Sequence, residues 1–301
     1  MKPTAVAVIG LGLMGSRMAA RLLGAGHRVR GYDPDPARME EFRVAGGEEA
    51  GSPVEAVEGT WAALLSLPNS DVSRQVCLED AGIAAAGRPL YVFDATTGRP
   101  SDAVEIGQSL GEVGIEYGDA TVSGNAPVAA AGQLVVMFGG STEAYEAGEP
   151  IFTAIGRSHH HVGPVGAGSR MKLIVNHVLA IHRLALAEGL VVAELASLDL
   201  GATLEVLKDS LAYSKAMDIW GERIIAGDHL PPSARLRQSH KDARLILEHG
   251  RQLGASLLLM EVVEAALEQG EQGGLADFDN SAVAEVVRRR AGIGRWPEEE
   301  G

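Results

Sequence analysis

Residues 4–33 read TAVAVIGLGLMGSRMAARLLGAGHRVRGYD, and they predict a strand, a glycine turn, a helix and a second strand. The apolar run 4–10 leads directly into Gly10-Leu11-Gly12-Leu13-Met14-Gly15. A GxGxxG pattern carries weight only in this setting, after a strand and opening a helix. There its glycines allow a tight turn and let backbone N–H groups approach a pyrophosphate at the helix N-terminus. The second strand, 27–33, ends in Asp33, eighteen residues beyond Gly15, where an acid can accept hydrogen bonds from an adenosine ribose. A 2′-phosphate beside this carboxylate would be repelled by roughly 1–4 kcal/mol at about 4 Å. The expected cofactor is therefore NAD, with NADP as the alternative; Arg38 sits a turn further on.

Outward from this loop, short apolar runs continue at 62–68, 90–96, 115–122, 133–140 and 158–164, with helical stretches between most of them. Near-continuous apolar strands suit a sheet covered on both faces, so a Rossmann-like, doubly wound α/β sheet is expected for residues 1–163. From residue 169 the apolar spacing becomes three and four. An uninterrupted helix over 169–196 is expected, then helical stretches near 203–226, 234–252, 256–270 and 279–290. The expected organisation is thus an α/β domain, an all-α C-terminal domain over 164–296 joined to it by a long helix, and a tail at 297–301.

The chain has 301 residues, is 46% apolar and carries a net charge of −14. That charge argues against nucleic acid or an anionic membrane as the main partner. No apolar stretch reaches membrane-spanning length without charge or glycine breaks. The single cysteine, Cys77, permits no internal disulfide and fits a reducing compartment, so a cytoplasmic protein is expected. His159-His160-His161 resembles a metal cluster. Neighbouring residues on a strand point to opposite faces, however, and three in a row cannot converge. No metal is expected.

Lys172 and Asn176, in GAGSRMKLIVNH (166–177), pose a sharper question. They stand four residues apart on one face of an apolar helix, where a buried lysine costs several kcal/mol unless it is paired or sheds its proton, as estimated from burial of charged groups. An ordered set of motifs answers it: GLGLMGSRMAARLLGAGHRV, LSLP (65–68), DATTGRP (94–100), DATVSGNAPVAAAGQL (119–134), GPVGAGSRMK (163–172) and KD (241–242). Together they resemble the β-hydroxyacid dehydrogenase family, which includes 3-hydroxyisobutyrate dehydrogenase and tartronate semialdehyde reductase, over essentially the whole chain. The resemblance implies oxidation of the β-hydroxyl of a small carboxylic acid, or reduction of its semialdehyde, with NAD or NADP. It implies Lys172 as the catalytic lysine, Asn176 as substrate-binding, and Ser123, Gly124 and the adjoining Asn125 as the loop holding the substrate carboxylate. It further implies Thr96 near the nicotinamide ribose, Leu67 and Pro68 beside the adenosine half, and Lys241 on the cofactor side.

These roles suit the chemistry. Hydride leaves a carbinol carbon only as the hydroxyl proton departs, so a base must lie within hydrogen-bond reach. An amine can take that proton and return it in the reverse direction. The sequence departs from its relatives at Asn125, where many have a second glycine, and at Ala234, where a phenylalanine is common. Arg235, Arg237 and His240 are candidates for a second anionic group, although helix-face charges of this kind are usually solvated. Trp220 and Tyr213 are expected either at the pocket or in the core. The alternatives are imine reduction on the same fold, which Lys172 disfavours, and a non-catalytic dinucleotide-binding module. The expected partners are a small carboxylate substrate and further copies of the chain, in a homodimer or homotetramer.

Overall fold

The computed structural model describes residues 5–88 and 90–294. Thr4, residues 295–296 and the expected tail at 297–301 lie outside the described residues. The chain divides between Lys172 and Leu173 into two compact units.

The first unit alternates strands and helices: β1 (Ala5–Ile9), α1 (Gly15–Gly24), β2 (Arg28–Tyr32), α2 (Pro36–Val44), β3 (Glu48–Glu49), α3 (Pro53–Val57), β4 (Ala62–Leu65) and α4 (Ser70–Leu78), then β5 (Tyr91–Asp94), α5 (Pro100–Glu112), β6 (Glu116–Ser123), α6 (Ala126–Ala130), β7 (Leu134–Gly139), α7 (Thr142–Ile155) and β8 (Gly156–Gly163). All seven anticipated strands form. The eighth, β3, is a two-residue edge of exposed glutamates with no apolar signal to betray it. Sheet order is β3-β2-β1-β4-β5-β6-β7-β8. All pairs are parallel except β6–β7, because the short connection through α6 suits an antiparallel return better than a parallel crossover.

Alternation along each strand fills both faces. Val6 and Val8 pack into one core with Leu64 and Phe93; Ala7 and Ile9 pack into the other with Leu65 and Val92. The chain winds outward from β1 to β3 and then in the opposite direction from β4, so the order reverses between β1 and β4. In such a sheet, ligands bind beyond the C-terminal strand ends at this reversal.

The remaining helices are α8 (Ala167–Leu195), α9 (Leu200–Asp209), α10 (Lys215–Ala226), α11 (Leu236–Gln252), α12 (Leu258–Gly270) and α13 (Val283–Arg290). The 29 residues of α8 correspond to about 43 Å. The stretch expected as one helix at 203–226 is two. Ser210 accepts from Ala212 N–H at 3.1 Å and donates to Leu207 C=O at 2.9 Å, offering the backbone a turn in place of continued helix. Leu173, Leu190, Leu204, Trp220, Leu267 and Val283 belong to the core of this second unit. Among the described residues no helix is long and apolar enough to cross a membrane.

Candidate active site

At the end of β1 the backbone turns through Gly10 at φ +89°, and Gly10 N–H donates to Tyr32 C=O at 2.9 Å. A Cβ on Gly10 would collide with the Ser66 carbonyl beyond β4, and one on Gly15 with the Gly10 carbonyl. A Cβ on Gly12 would meet nothing nearer than the Arg38 guanidinium at 3.7 Å. Two of the glycines therefore close the turn, and the third leaves backbone accessible from outside. Leu13 is exposed, and Met14 packs against the sheet core. This cradle fits a dinucleotide pyrophosphate at the start of α1.

Asp33 is buried at the end of β2. Its carboxylate accepts from Leu11 N–H at 2.8 Å and Asp35 N–H at 2.9 Å, tying the glycine loop to β2. Arg38 also reaches it, at 3.3 Å. Arg38, a turn further on in α2, brings its guanidinium back to the loop, so Asp33 is not an isolated negative charge. At the ends of β4 and β5, Thr96 accepts from Leu67 N–H at 3.0 Å. The Thr96 N–H donates to Asp94 at 2.9 Å, and Pro68 stays exposed beside them.

The β6 strand grips the start of α8. Asp119 accepts from Gly166 N–H at 2.7 Å and Ser169 N–H at 2.5 Å, capping α8 from fifty residues away. Thr121 donates to Gly168 C=O at 2.8 Å. A Cβ on Gly168 would strike the Asp119 and Met137 carbonyls, so only glycine allows this approach. Burial pushes the Asp119 carboxyl up to about 6, against the lowering effect of the Ser169 and Gly166 hydrogen bonds. The result is that Lys172 Nζ donates to Val122 C=O at 2.7 Å, one residue from Ser123. Gly124, at φ +141°, has a conformation and surroundings that admit no side chain. The Asn125 side chain, expected beside the carboxylate loop, caps α6 by accepting from Val128 N–H at 3.2 Å.

Within the second unit, Asn176 Nδ2 donates to Asp242 at 2.9 Å, and Lys241 Nζ lies 3.3 Å from the other Asp242 oxygen. The structure thus groups Lys172 with the Ser123 loop, and Asn176 with Lys241. Asp119 and Asp242 were quoted within motifs but given no role; their partners are too distant in sequence for spacing to reveal.

Of the second-anion candidates, Arg235 and Arg237 are exposed and pair with Asp277 at 3.5 and 2.8 Å. His240 is buried between Glu264, at 3.2 Å, and Glu271. Both His240 nitrogens face carboxylates, which leaves it poorly suited to an anion. Trp220 is core, whereas Tyr213 is exposed and donates to Asp218 at 2.7 Å. His159 and His161 share one face against Tyr145. No metal-holding cluster occurs among the described residues.

Comparison with known proteins extends this reading. Residues 5–163 match the model of the NAD-binding domain of 6-phosphogluconate dehydrogenase. Residues 166–287 match that of the NAD-binding domain of NADP-dependent 3-hydroxyisobutyrate dehydrogenase. Similar proteins include the 2-(hydroxymethyl)glutarate dehydrogenase of Eubacterium barkeri, 29% identical and covering 97% of both chains. The L-threonate dehydrogenase of Cupriavidus necator is 31% identical over 93% of this chain and 95% of its own. A solved structure of the Mycobacterium tuberculosis 3-hydroxyisobutyrate dehydrogenase with L-serine is 30% identical, with a TM-score of 0.85 over 95% of this chain and 99% of that one. With its glycine cradle, its lysine at the head of the long helix and these matches along nearly its full length, the chain belongs to the β-hydroxyacid dehydrogenase family of NAD(P)-dependent oxidoreductases.

Proposed function

We propose that the protein interconverts a small 3-hydroxy carboxylic acid and its semialdehyde, with Lys172 as general acid/base. The observation that carries this is the Lys172 amine, held 2.7 Å from the Val122 carbonyl next to Ser123. The nicotinamide dinucleotide, held by Gly10, Leu11, Gly12, Leu13, Met14, Gly15, Asp33, Leu67, Pro68, Thr96 and Lys241, supplies the hydride acceptor or donor when bound. Ser123 and the Gly124 amide hold the substrate carboxylate, since the left-handed backbone at Gly124 presents its N–H without a side chain in the way. Neutral Lys172 takes the hydroxyl proton as the carbinol carbon is oxidised and passes it to solvent. In reduction, its charged form protonates the nascent alkoxide.

Asn176 lies one turn along the same helix face. With one amide N–H donated to Asp242, its second Nδ2–H is left to donate to the substrate hydroxyl oxygen, whose own proton goes to Lys172. Fixing that donor serves the near-attack geometry such chemistry rewards. Asn125 supports the loop through its cap on α6. The sheet unit is assigned to the cofactor and the helical unit to substrate and self-association. Exposed Ile174 and Val178 on α8 support a homodimer or homotetramer.

The test is substrate-dependent NAD(P)H formation followed at 340 nm. Lys172→Ala is expected to lower kcat by about 10²–10⁴, the usual worth of general acid–base catalysis, while NAD(H) still binds by fluorescence titration. Wild-type turnover in that variant would end the assignment.

A further inference from the structure

Arg183 lies on α8 at positions +7 from Asn176 and +11 from Lys172. At about 100° per residue, all three fall within about 40° of one line along the helix. Arg183 is only 4% exposed, and its guanidinium sits 5.0 Å over the Trp220 ring. Among the described residues its Nε–H has no hydrogen-bond acceptor, and neither has the indole N–H of Trp220. Trp220 is 4% exposed. An unsatisfied Arg183 N–H is thus buried at this contact, and the Trp220 indole N–H is unsatisfied as well. A guanidinium taken out of water without acceptors is costly, and the face of an aromatic ring offsets only part of that cost.

Two carboxylates act on Arg183 through their charge without hydrogen-bonding it. Asp242 lies near enough for its charge to act on Arg183, as does Asp279. Yet Asp242 is already engaged by Asn176 and Lys241, and Asp279 by Ser233 and Arg223. Burial lowers the Arg183 pKa to about 10, which leaves the group cationic at neutral pH. Asp242 links the two neighbourhoods, since it bonds Asn176 and its charge acts on Arg183. Arginine side chains on a helix lean toward its N-terminus, and the seven-residue separation is a rise of about 10 Å.

We propose that Arg183, held over the Trp220 ring, receives a second oxyanion of the substrate, making the preferred substrate a hydroxy acid with an anionic group at each end. This rests on the hydroxyacid reading above and deepens it. A planar fork of N–H donors held away from bulk water suits a carboxylate or a sulfonate. The span to Asn176 suits an anion carried on an arm of a few carbons.

The test compares 2-(hydroxymethyl)glutarate with 3-hydroxyisobutyrate. Both present a hydroxymethyl group beside a carboxylate; the first replaces the methyl of the second with an arm ending in another carboxylate. The same step oxidises each, with hydride passing to NAD(P)⁺ and the proton to solvent. The wild type is expected to favour the dianion in kcat/KM by about 10- to 100-fold, the worth of one charged hydrogen bond. Arg183→Met is expected to collapse that ratio toward one, and Arg183→Lys to leave it intermediate. A wild-type ratio near one, or an equal loss on both substrates in Arg183→Met, overturns the proposal.

A second arm needs no variant. Glutarate, 3-sulfopropionate and butyrate are titrated calorimetrically into the wild-type protein with NADH at constant ionic strength. Either dianion is expected to bind at least about tenfold tighter than butyrate, and their order separates carboxylate from sulfonate. Equal binding of all three overturns the proposal even if Arg183→Met does not fold. Failure to oxidise either alcohol, alongside tighter dianion binding, would instead count against the hydroxyacid reading alone.

Discussion

Asp119 in the sheet unit and Asp279 in the helical unit are 1% and 0% exposed, and burial pushes both carboxyls up. Their net positions differ. Asp119 ends near 6 because its strongest opposing partners are the N–H groups of Ser169 and Gly166. Asp94, its register partner on β5, is likewise raised by burial against Thr96, Ser73 and Tyr117. Asp279 ends below the usual carboxylate range, because hydrogen bonds from Ser233 and Ser281 overcome burial; Arg223 also lies 2.9 Å away. Glu285 follows it, with His229 and Arg288 outweighing burial. The sheet unit uses buried acids to hold backbone in place. The helical unit pairs its buried acids with cations and hydroxyls, whereas the Arg183 Nε–H there has no acceptor.

The largest effect expected from that contrast separates two buried arginines. Arg288, with no exposed side-chain surface, bonds Glu285 at 2.5 Å, Glu194 at 2.9 Å and the Ile224 carbonyl at 2.9 Å. Arg288→Met takes the buried cation from two carboxylates and is expected to cost about 3–5 kcal/mol. Arg183→Met removes a buried charge whose Nε–H has no acceptor. It is expected to change stability by less than about 1 kcal/mol, or to raise it, the cation–π contact being the main loss. Urea unfolding of both variants checks this. Comparable destabilisation would mean that Arg183 has hidden partners and that the contrast is false.

Next in size is the acid response of Asp119. Its folded pKa, about 6, is raised by burial above the ordinary carboxyl value of 3.8. Its stabilising contribution is therefore fully present below about pH 4 and is lost as pH rises through 6. The shift of roughly two units corresponds to about 3 kcal/mol. Asp279 and Glu285 have the opposite sign, contributing above the ordinary carboxylate pKa and losing that contribution as pH falls. Asp119→Asn keeps an acceptor for one α8 N–H and cannot ionise. Its stability is expected to lack the loss between pH 4 and 6, when compared with wild type by urea titration at several pH values. A parallel pair of curves would sink the assignment of that slope to Asp119.

Much of this contrast was invisible in the sequence. The strands could be read because nearly continuous apolar runs mark a sheet covered on both faces, and the glycine loop because it stands between strand and helix. Lys172 and Asn176 were found through their spacing and the family resemblance. Asp119, by contrast, acts on residues 47 and 50 positions away. Arg183 draws no attention in the sequence, because its contact with Trp220 depends on α10 packing against it. His240 and the arginines at 235 and 237 were the more obvious cations by sequence. Acidic neighbours on other segments are what remove them from consideration.

The smallest effect concerns Asp33, which crosses the division between the units. It is a buried acid of the sheet unit that nevertheless has both backbone donors and a cation, Arg38 at 3.3 Å. Asp33 alone would repel a 2′-phosphate, whereas the half-exposed Arg38 guanidinium beside Gly12 offsets that repulsion and offers a charged partner. If Asp33 governs the choice, the wild type prefers NAD by a modest margin. Arg38→Ala should then widen the margin by about tenfold, or about 1.4 kcal/mol, within the range of screened pairwise charge interactions. The measurement is kcat/KM for NAD⁺ and NADP⁺ at a fixed salt concentration, because an exposed charge loses influence as ionic strength rises. A ratio unmoved by Arg38→Ala would place the guanidinium's influence on the folded loop alone, and Asp33 would then belong with Asp119 as an acid that serves mainly to hold backbone.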